Sequence, residues 1–277
     1  MKWVKFNQKK LKSELYSGLV DAVAANDGRP AGTFTVLPSS VLGSPRYMQA
    51  KYQDAMAMVR KLGKPNYFIT FTCNSNWQEI LDELRPGEKS WMRTDITTRV
   101  FHMKLKEFMN DLTKNNVLGK AIGHTMVIEF QKRGLPHAHI LLIVQPSDRP
   151  QNPDDYDRIV VAEIPDPIKH PRLHRIITTN NLHGPCGERN PDCVCMDRER
   201  HTCTAHFPKE VREETIDKDN AFPEYRRRNL FPYEKLTSNQ MPGTGILFDD
   251  TWVVPYNPYL SLKYNAHINV EICTGVA

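Results

Sequence analysis

The sequence predicts an α+β fold with a central antiparallel sheet covered by helices, and three observations carry that prediction. Residues 125–130 and 137–144 are β-favouring runs on either side of Lys132-Arg133-Gly134, the pattern of a hairpin. Residues 67–72, Tyr-Phe-Ile-Thr-Phe-Thr, form a third strand of the same character. Between them Phe101, Leu105, Phe108 and Leu112 recur at helical spacing. The order helix, strand, helix, strand, strand suits an antiparallel sheet with helices packed on it.

The elements follow in chain order. Residues 1–45 read as a basic N-terminal helix and connection: lysines stand at 2, 5, 9, 10 and 12, and Leu11, Leu15, Leu19 and Val23 share one helical face before Asn26-Asp27-Gly28 stops the pattern. Residues 46–150 read as the core. A helix over 46–62 places Tyr52, Met56 and Val59 on its buried side and ends at Gly63-Lys64-Pro65. The strand 67–72 leads into the polar turn Cys73-Asn74-Ser75-Asn76; its aromatics read as core, and Trp77 as an anchor for the loop. A helix over 95–114 follows, and Asn115-Asn116 and Gly119 turn the chain into the hairpin.

Residues 145–153 are polar and proline-containing, an exposed connection. Asp154-Asp155-Tyr156-Asp157 can cap a short helix, and Ile164-Pro165-Asp166-Pro167 stops another element. Residues 151–240 read as a Cys/His-rich, basic segment, and 241–277 as a returning C-terminal strand region. Pro255-Tyr256-Asn257-Pro258-Tyr259 argues against a regular helix there.

Composition narrows the function classes. The chain of 277 residues can bury a substantial core, and 37 Lys and Arg against 32 Asp and Glu give +5, a balance that permits a polyanionic partner without demanding one. The sequence holds no apolar run of membrane-spanning length, and its lysine-rich start is no signal-peptide core, so no membrane partner is expected and the default location is cytosol or nucleus, the nucleus in a eukaryote. No Walker sequence occurs, which excludes an ATP site.

The chemistry concentrates at Glu129-Phe130-Gln131-Lys132-Arg133-Gly134-Leu135-Pro136-His137-Ala138-His139. Histidines two apart on a strand face one side, where their imidazoles can share a divalent ion. Across the hairpin Glu129 joins His137 and His139 as a third ligand, with Gln131 as the alternative. Three ligands leave a position open for water or a phosphate oxygen; Mg²⁺ or Mn²⁺ suits such a mixed site, and Zn²⁺ would also bind. The competing reading is two partly buried histidines bonded to backbone, with Glu129 paired to Arg133.

Four of the six cysteines fall between residues 186 and 203, which favours reduced thiols or a local metal over a disulfide framework. His183, Cys186, Cys195 and Cys203 make a candidate closed zinc site, with Cys193 as an extra candidate and His206 as a substitute for His183. A surface loop with free thiols is the alternative. Downstream, Arg226-Arg227-Arg228 together with Lys132 and Arg133 are the candidate nucleic-acid contacts.

Several linked motifs extend well beyond the His-Ala-His pattern. They include Leu37-Pro38-Ser39-Ser40, Gly43-Ser44-Pro45-Arg46-Tyr47, Phe68-Ile69-Thr70-Phe71-Thr72-Cys73-Asn74, the string from Val127 to His139, and His183-Gly184-Pro185-Cys186. Trp252-Val253-Val254-Pro255-Tyr256-Asn257-Pro258-Tyr259 and Lys263-Tyr264-Asn265-Ala266-His267-Ile268-Asn269-Val270-Glu271 complete the set. Over most of its length the chain resembles the replication-initiator portion of Helitron transposases, the Helitron helicase-like N-terminal domain.

The resemblance implies a replication-initiator endonuclease-like fold of the rolling-circle type, acting on single-stranded DNA. It assigns His137 and His139 to the metal, with Glu129 as the accompanying ligand, and makes the 68–72 strand a support for them. The implied chemistry is transesterification: a tyrosine oxygen attacks a DNA phosphorus, giving a 3′-hydroxyl and a 5′-phosphotyrosine link. In the family the paired tyrosines follow the His-Ile-Asn-Val-Glu strand, whereas this sequence ends at Ala277. The expectation is therefore DNA and metal binding with nicking lost or impaired; Tyr256 and Tyr259 are poor substitutes, and a helicase domain is expected only downstream in a longer protein. The alternative expectation is a catalytically silent DNA-binding or structural protein of transposon origin.

Overall fold

The computed structural model describes residues 39–130, 135–197, 199–218, 222–235 and 245–274. The basic helix expected over the first residues, and Gln131, Lys132 and Arg133 at the hairpin tip, lie outside the described residues. Contacts divide the chain into two units, Met1–Lys61 and Leu62–Ala277.

In the first unit the described structure is chiefly α1, Pro45–Leu62. Pro45 stands at its first position, where a missing amide costs nothing. None of its residues is buried and Tyr52 is 56% exposed, so the buried side expected at Tyr52, Met56 and Val59 is not realised.

The second unit is built on a four-stranded antiparallel sheet. Its strands are β1 (Tyr67–Thr72), β2 (Ala121–Phe130), β3 (Pro136–Val144) and β6 (Ile268–Ile272), in the order β2-β3-β1-β6. The remaining elements are helices α2 (Gln78–Leu81), α3 (Thr94–Thr113), α4 (Pro153–Ile159), α5 (Pro171–Asn180) and α6 (Pro258–Tyr264), and a ribbon of β4 (Tyr233–Lys235) with β5 (Ile246–Phe248). Among the described residues this is the expected α+β class.

The period-two rule gives the sheet two unlike faces. One carries Tyr67, Ile69, Phe71, Ala138, Ile140, Leu142, Ile268, Val270 and Ile272, all essentially fully buried. α3 belongs to the same core through Phe101, Leu105, Phe108 and Leu112. Phe71 stacks on Phe108 with ring centroids 4.5 Å apart and meets the edge of Tyr264 at 5.6 Å. Trp77 closes one end of this core, donating from Nε1 to the Tyr264 carbonyl at 2.8 Å, the anchoring role read from its position. The opposite face carries the polar residues of the same strands.

Two helices depart from the sequence reading. α6 forms despite Pro255 and Pro258, because Pro258 takes the first helical position and the Asn257 side chain accepts from the Leu260 amide at 3.0 Å. α5 also starts at a proline, Pro171, and buries Leu173, Ile176 and Ile177. The short helix expected near 154–157 forms as α4, capped by Asn152 rather than by the aspartates.

Arg227 of the arginine triplet is drawn into the fold, while Arg226 and Arg228 stay about a third exposed. Arg227 is 3% exposed, and its Nη1 donates to the carbonyls of Ala162, Asp250 and Val253. Arg226 pairs with Asp157 and Glu163, and Arg228 binds Glu163 through two nitrogens at 2.8 and 3.0 Å. Beside them the buried Asp250 accepts the amides of Ile164 and Asn229, both at 2.7 Å. These bonds tie three distant segments together, and the enclosed Arg227 guanidinium is not available to a phosphate.

Candidate functional site

The hairpin of β2 and β3 pairs Glu129 with His137 and Val127 with His139. All four residues therefore lie on the polar face, the arrangement the alternating pattern anticipates. Glu129 Oε2 is 3.3 Å from His137 Nε2 and 3.7 Å from His139 Nε2. An ion at about 2.1 Å from each of its ligands holds them roughly 3.0–3.4 Å apart, so these side chains fit one cation with small adjustment.

The adjacent strand β1 supports the pair. Thr70 stands opposite His139, and its Oγ1 lies 3.1 Å from His139 Nδ1. With that nitrogen engaged, Nε2 is the one left to face Glu129. Phe68 stacks against the same imidazole at 5.6 Å, with the planes 10° apart. Burial and the neighbouring His137 hold the His139 pKa below its usual value against the pull of Glu129, which favours the neutral imidazole that ligates metal.

His137 comes from the interior strand and is nearly enclosed, with its Nδ1 buried and unpartnered among the described residues; Glu129 is more than half exposed. The site is thus a pair of enclosed or stacked imidazoles and one exposed carboxylate, open on the solvent side. His267, just before β6, was missed by the sequence reading. Its Nδ1 lies 2.8 Å from the Asn180 carbonyl, and His137 contributes to lowering its pKa after burial.

A second cluster gathers His183, Cys186, Cys195 and Cys203, whose ligand atoms all lie within 4.8 Å of one another. His183 Nε2 is 3.3 Å from Cys203 Sγ, and its ring stacks on Phe207 at 4.2 Å. Gly184 permits the tight approach: its φ of +95° suits glycine, and a Cβ there would lie 3.1 Å from the Trp252 ring. Burial pushes the Cys186 and Cys195 thiols up, whereas amides of Phe207 and Ala205 overcome burial at Cys203 and bring it down. Cys193 is outside this four-residue set, as is His206. Four protein ligands leave no open position, the pattern of a structural site.

The tyrosines singled out from sequence are separated by burial. Tyr256 is 1% exposed and donates to the Glu163 carbonyl at 3.0 Å, and burial raises its pKa well above the usual phenol value. Tyr259, on the first turn of α6, is half exposed.

Residues 1–142 match a family described as Helitron helicase-like domain at N-terminus, just over half of the 277 residues. The chain belongs to the Helitron helicase-like family. The matched part of this Helitron domain ends inside β3, so it includes Glu129, His137 and His139 and leaves the Cys/His cluster beyond it. No curated protein matches the sequence. Among the described residues of the Helitron domain no helix is long and apolar enough to cross a membrane.

Further along the polar face, Glu271 of β6 is enclosed by Tyr225, Asn269, Arg227 and Lys209, with Cys273 also near it. Burial lifts it to about 7, against the hydrogen bonds from Tyr225 and Asn269 and the charges of Arg227 and Lys209. Between roughly pH 4.5 and 7 the folded protein holds a proton that the unfolded chain has released, so this group's contribution falls as pH rises. Urea melts should show the wild type losing more stability than Glu271→Gln between pH 5 and pH 8. Equal losses would remove Glu271 from the pH response.

Proposed function

We propose that this Helitron-family chain binds single-stranded DNA with a divalent cation, Mg²⁺ or Mn²⁺, at Glu129, His137 and His139, in the manner of a replication-initiator endonuclease. The convergence of those three side chains on the open face of the sheet carries the reading. A bound cation supplies Lewis-acid polarisation of a phosphoryl oxygen. The protein's own part is positional: β3 fixes the two imidazoles, Thr70 and Phe68 set the ring of His139, and Glu129 closes the set from the neighbouring strand.

The reaction class supported by the family is attack of a tyrosine oxygen on the DNA phosphorus, breaking the phosphodiester bond to leave a 3′-hydroxyl and a 5′-phosphotyrosine. Tyr256 does not suit that role, because its hydroxyl is buried and engaged. The Cys/His cluster serves as a structural zinc site in the same reading, since its ligands are all supplied by the protein.

Single-stranded oligonucleotides incubated with the protein, with Mn²⁺ or with EDTA, test this. Affinity should be at least about tenfold higher with Mn²⁺, the factor expected when a cation bridges protein and phosphate. On denaturing gels and peptide maps, any covalent adduct should map away from Tyr256. Equal affinity with and without metal would overturn the metal-dependent reading, and an adduct on Tyr256 would overturn its exclusion.

A further inference from the structure

The polar face of the sheet continues past the metal ligands into a cavity of about 690 Å³. Asn269 links the two regions: it stands opposite Thr70, and Thr70 stands opposite His139 on its other side. Two strand spacings of about 4.8 Å put Asn269 roughly 10 Å from His139 along one face. The cavity floor is Asn269 and Glu271, and its walls come from residues 205–210, 212, 218, 222–225, 227, 254 and 255.

Three groups around this cavity lack the partner their chemistry asks for. The Lys209 ammonium is half-buried, sits 5.1 Å over the Phe207 ring, and has no carboxylate within ion-pair distance among the described residues. Burial and Arg227 lower its pKa, and the more distant charges of Glu271, Cys203 and Glu224 only partly offset them. The three other lysines and arginines of the wall differ, for Arg212 and Lys218 are paired with Glu224 and Arg227 donates to backbone carbonyls. Asn269 Oδ1 is buried with no donor. Phe222 is 45% exposed, an apolar ring on the cavity wall.

A ligand that satisfies all three brings an anion, an N–H donor and a flat ring that can lie against an aromatic side chain. A nucleotide carries each of these, and the cavity is within the size range of small-molecule sites. A free phosphate would answer Lys209 alone.

We infer that this cavity is a nucleotide subsite, taking one base of a single DNA strand whose neighbouring phosphate lies at Glu129, His137 and His139. The base stacks on Phe222 with an N–H toward Asn269, and the phosphate lies toward Lys209. The inference rests on the strand-binding reading given above and adds to it a place where the base, and not only the backbone, is held.

The test compares two strands of equal length on the full chain with Mn²⁺, one with its bases and one in which every base is replaced by an abasic residue. Wild type should prefer the base-bearing strand by roughly 5- to 100-fold, the range for stacking a base on an aromatic ring. Phe222→Ala, at a half-exposed position where folding tolerates truncation, should reduce that ratio several-fold. Lys209→Gln should weaken both strands alike and lower the salt dependence of binding by about 0.7 in the log–log slope. A base preference and salt slope unchanged in these variants would overturn the subsite while leaving strand binding at the metal face intact. Failure of wild type to bind either strand would overturn both.

Discussion

Replacing His137 and His139 together by alanine should lower Mn²⁺ affinity by at least about 100-fold, since two of three ligands are lost and even outer-shell changes cost 10–100-fold. Titration calorimetry on the purified chain checks this. The fold should be retained, because both imidazoles lie on the face opposite the apolar core. Thr70→Ala is the companion variant: it keeps every ligand and removes only the hydroxyl beside His139 Nδ1, so an intermediate loss is expected. Mn²⁺ retention equal to wild type in the double variant would end the case for this site.

The second large effect belongs to the cysteine cluster. On the structural-zinc reading proposed above, Cys203→Ser should abolish zinc binding and cost more than about 4 kcal/mol, the scale seen when a structural metal is lost. Cys186 and Cys203 are buried beside Phe248 and Trp252 in a small cluster whose other side chains, among them Leu182, Phe207 and Ile246, are only partly buried. Without an ion to draw the thiolates together, that cluster has little to close it. Native mass spectrometry gives the zinc content, and limited proteolysis between residues 183 and 209 reports the loosening. A variant that keeps its zinc and its protease resistance would show that Cys203 is no ligand.

How much of this could be read from the amino acids differs from feature to feature. The hairpin was legible, because strand periodicity and a turn fix which residues face each other within twenty positions; Glu129 opposite His137 follows from that alone. The α3 stripe was legible for the same local reason. The arginine triplet was not: nothing in Arg226-Arg227-Arg228 announces that Glu163 and the carbonyls around Asp250 wait for it, since those partners lie more than twenty residues away in sequence. α6 was hidden by reading two prolines as breakers when the second is a first-turn residue behind a capping Asn257. The cavity beside the metal ligands draws on segments near 209, 225 and 270, and only their packing brings them together.

The carboxylate of the candidate triad is borne by the outermost strand of the sheet, one residue from its end, while both rings stand on a strand flanked on each side. A cation held by all three would act as a clasp, stitching the edge strand to its interior neighbour. Loading and release of the ion would then govern how firmly that strand is held, and amide exchange along it would slow whenever the clasp is shut.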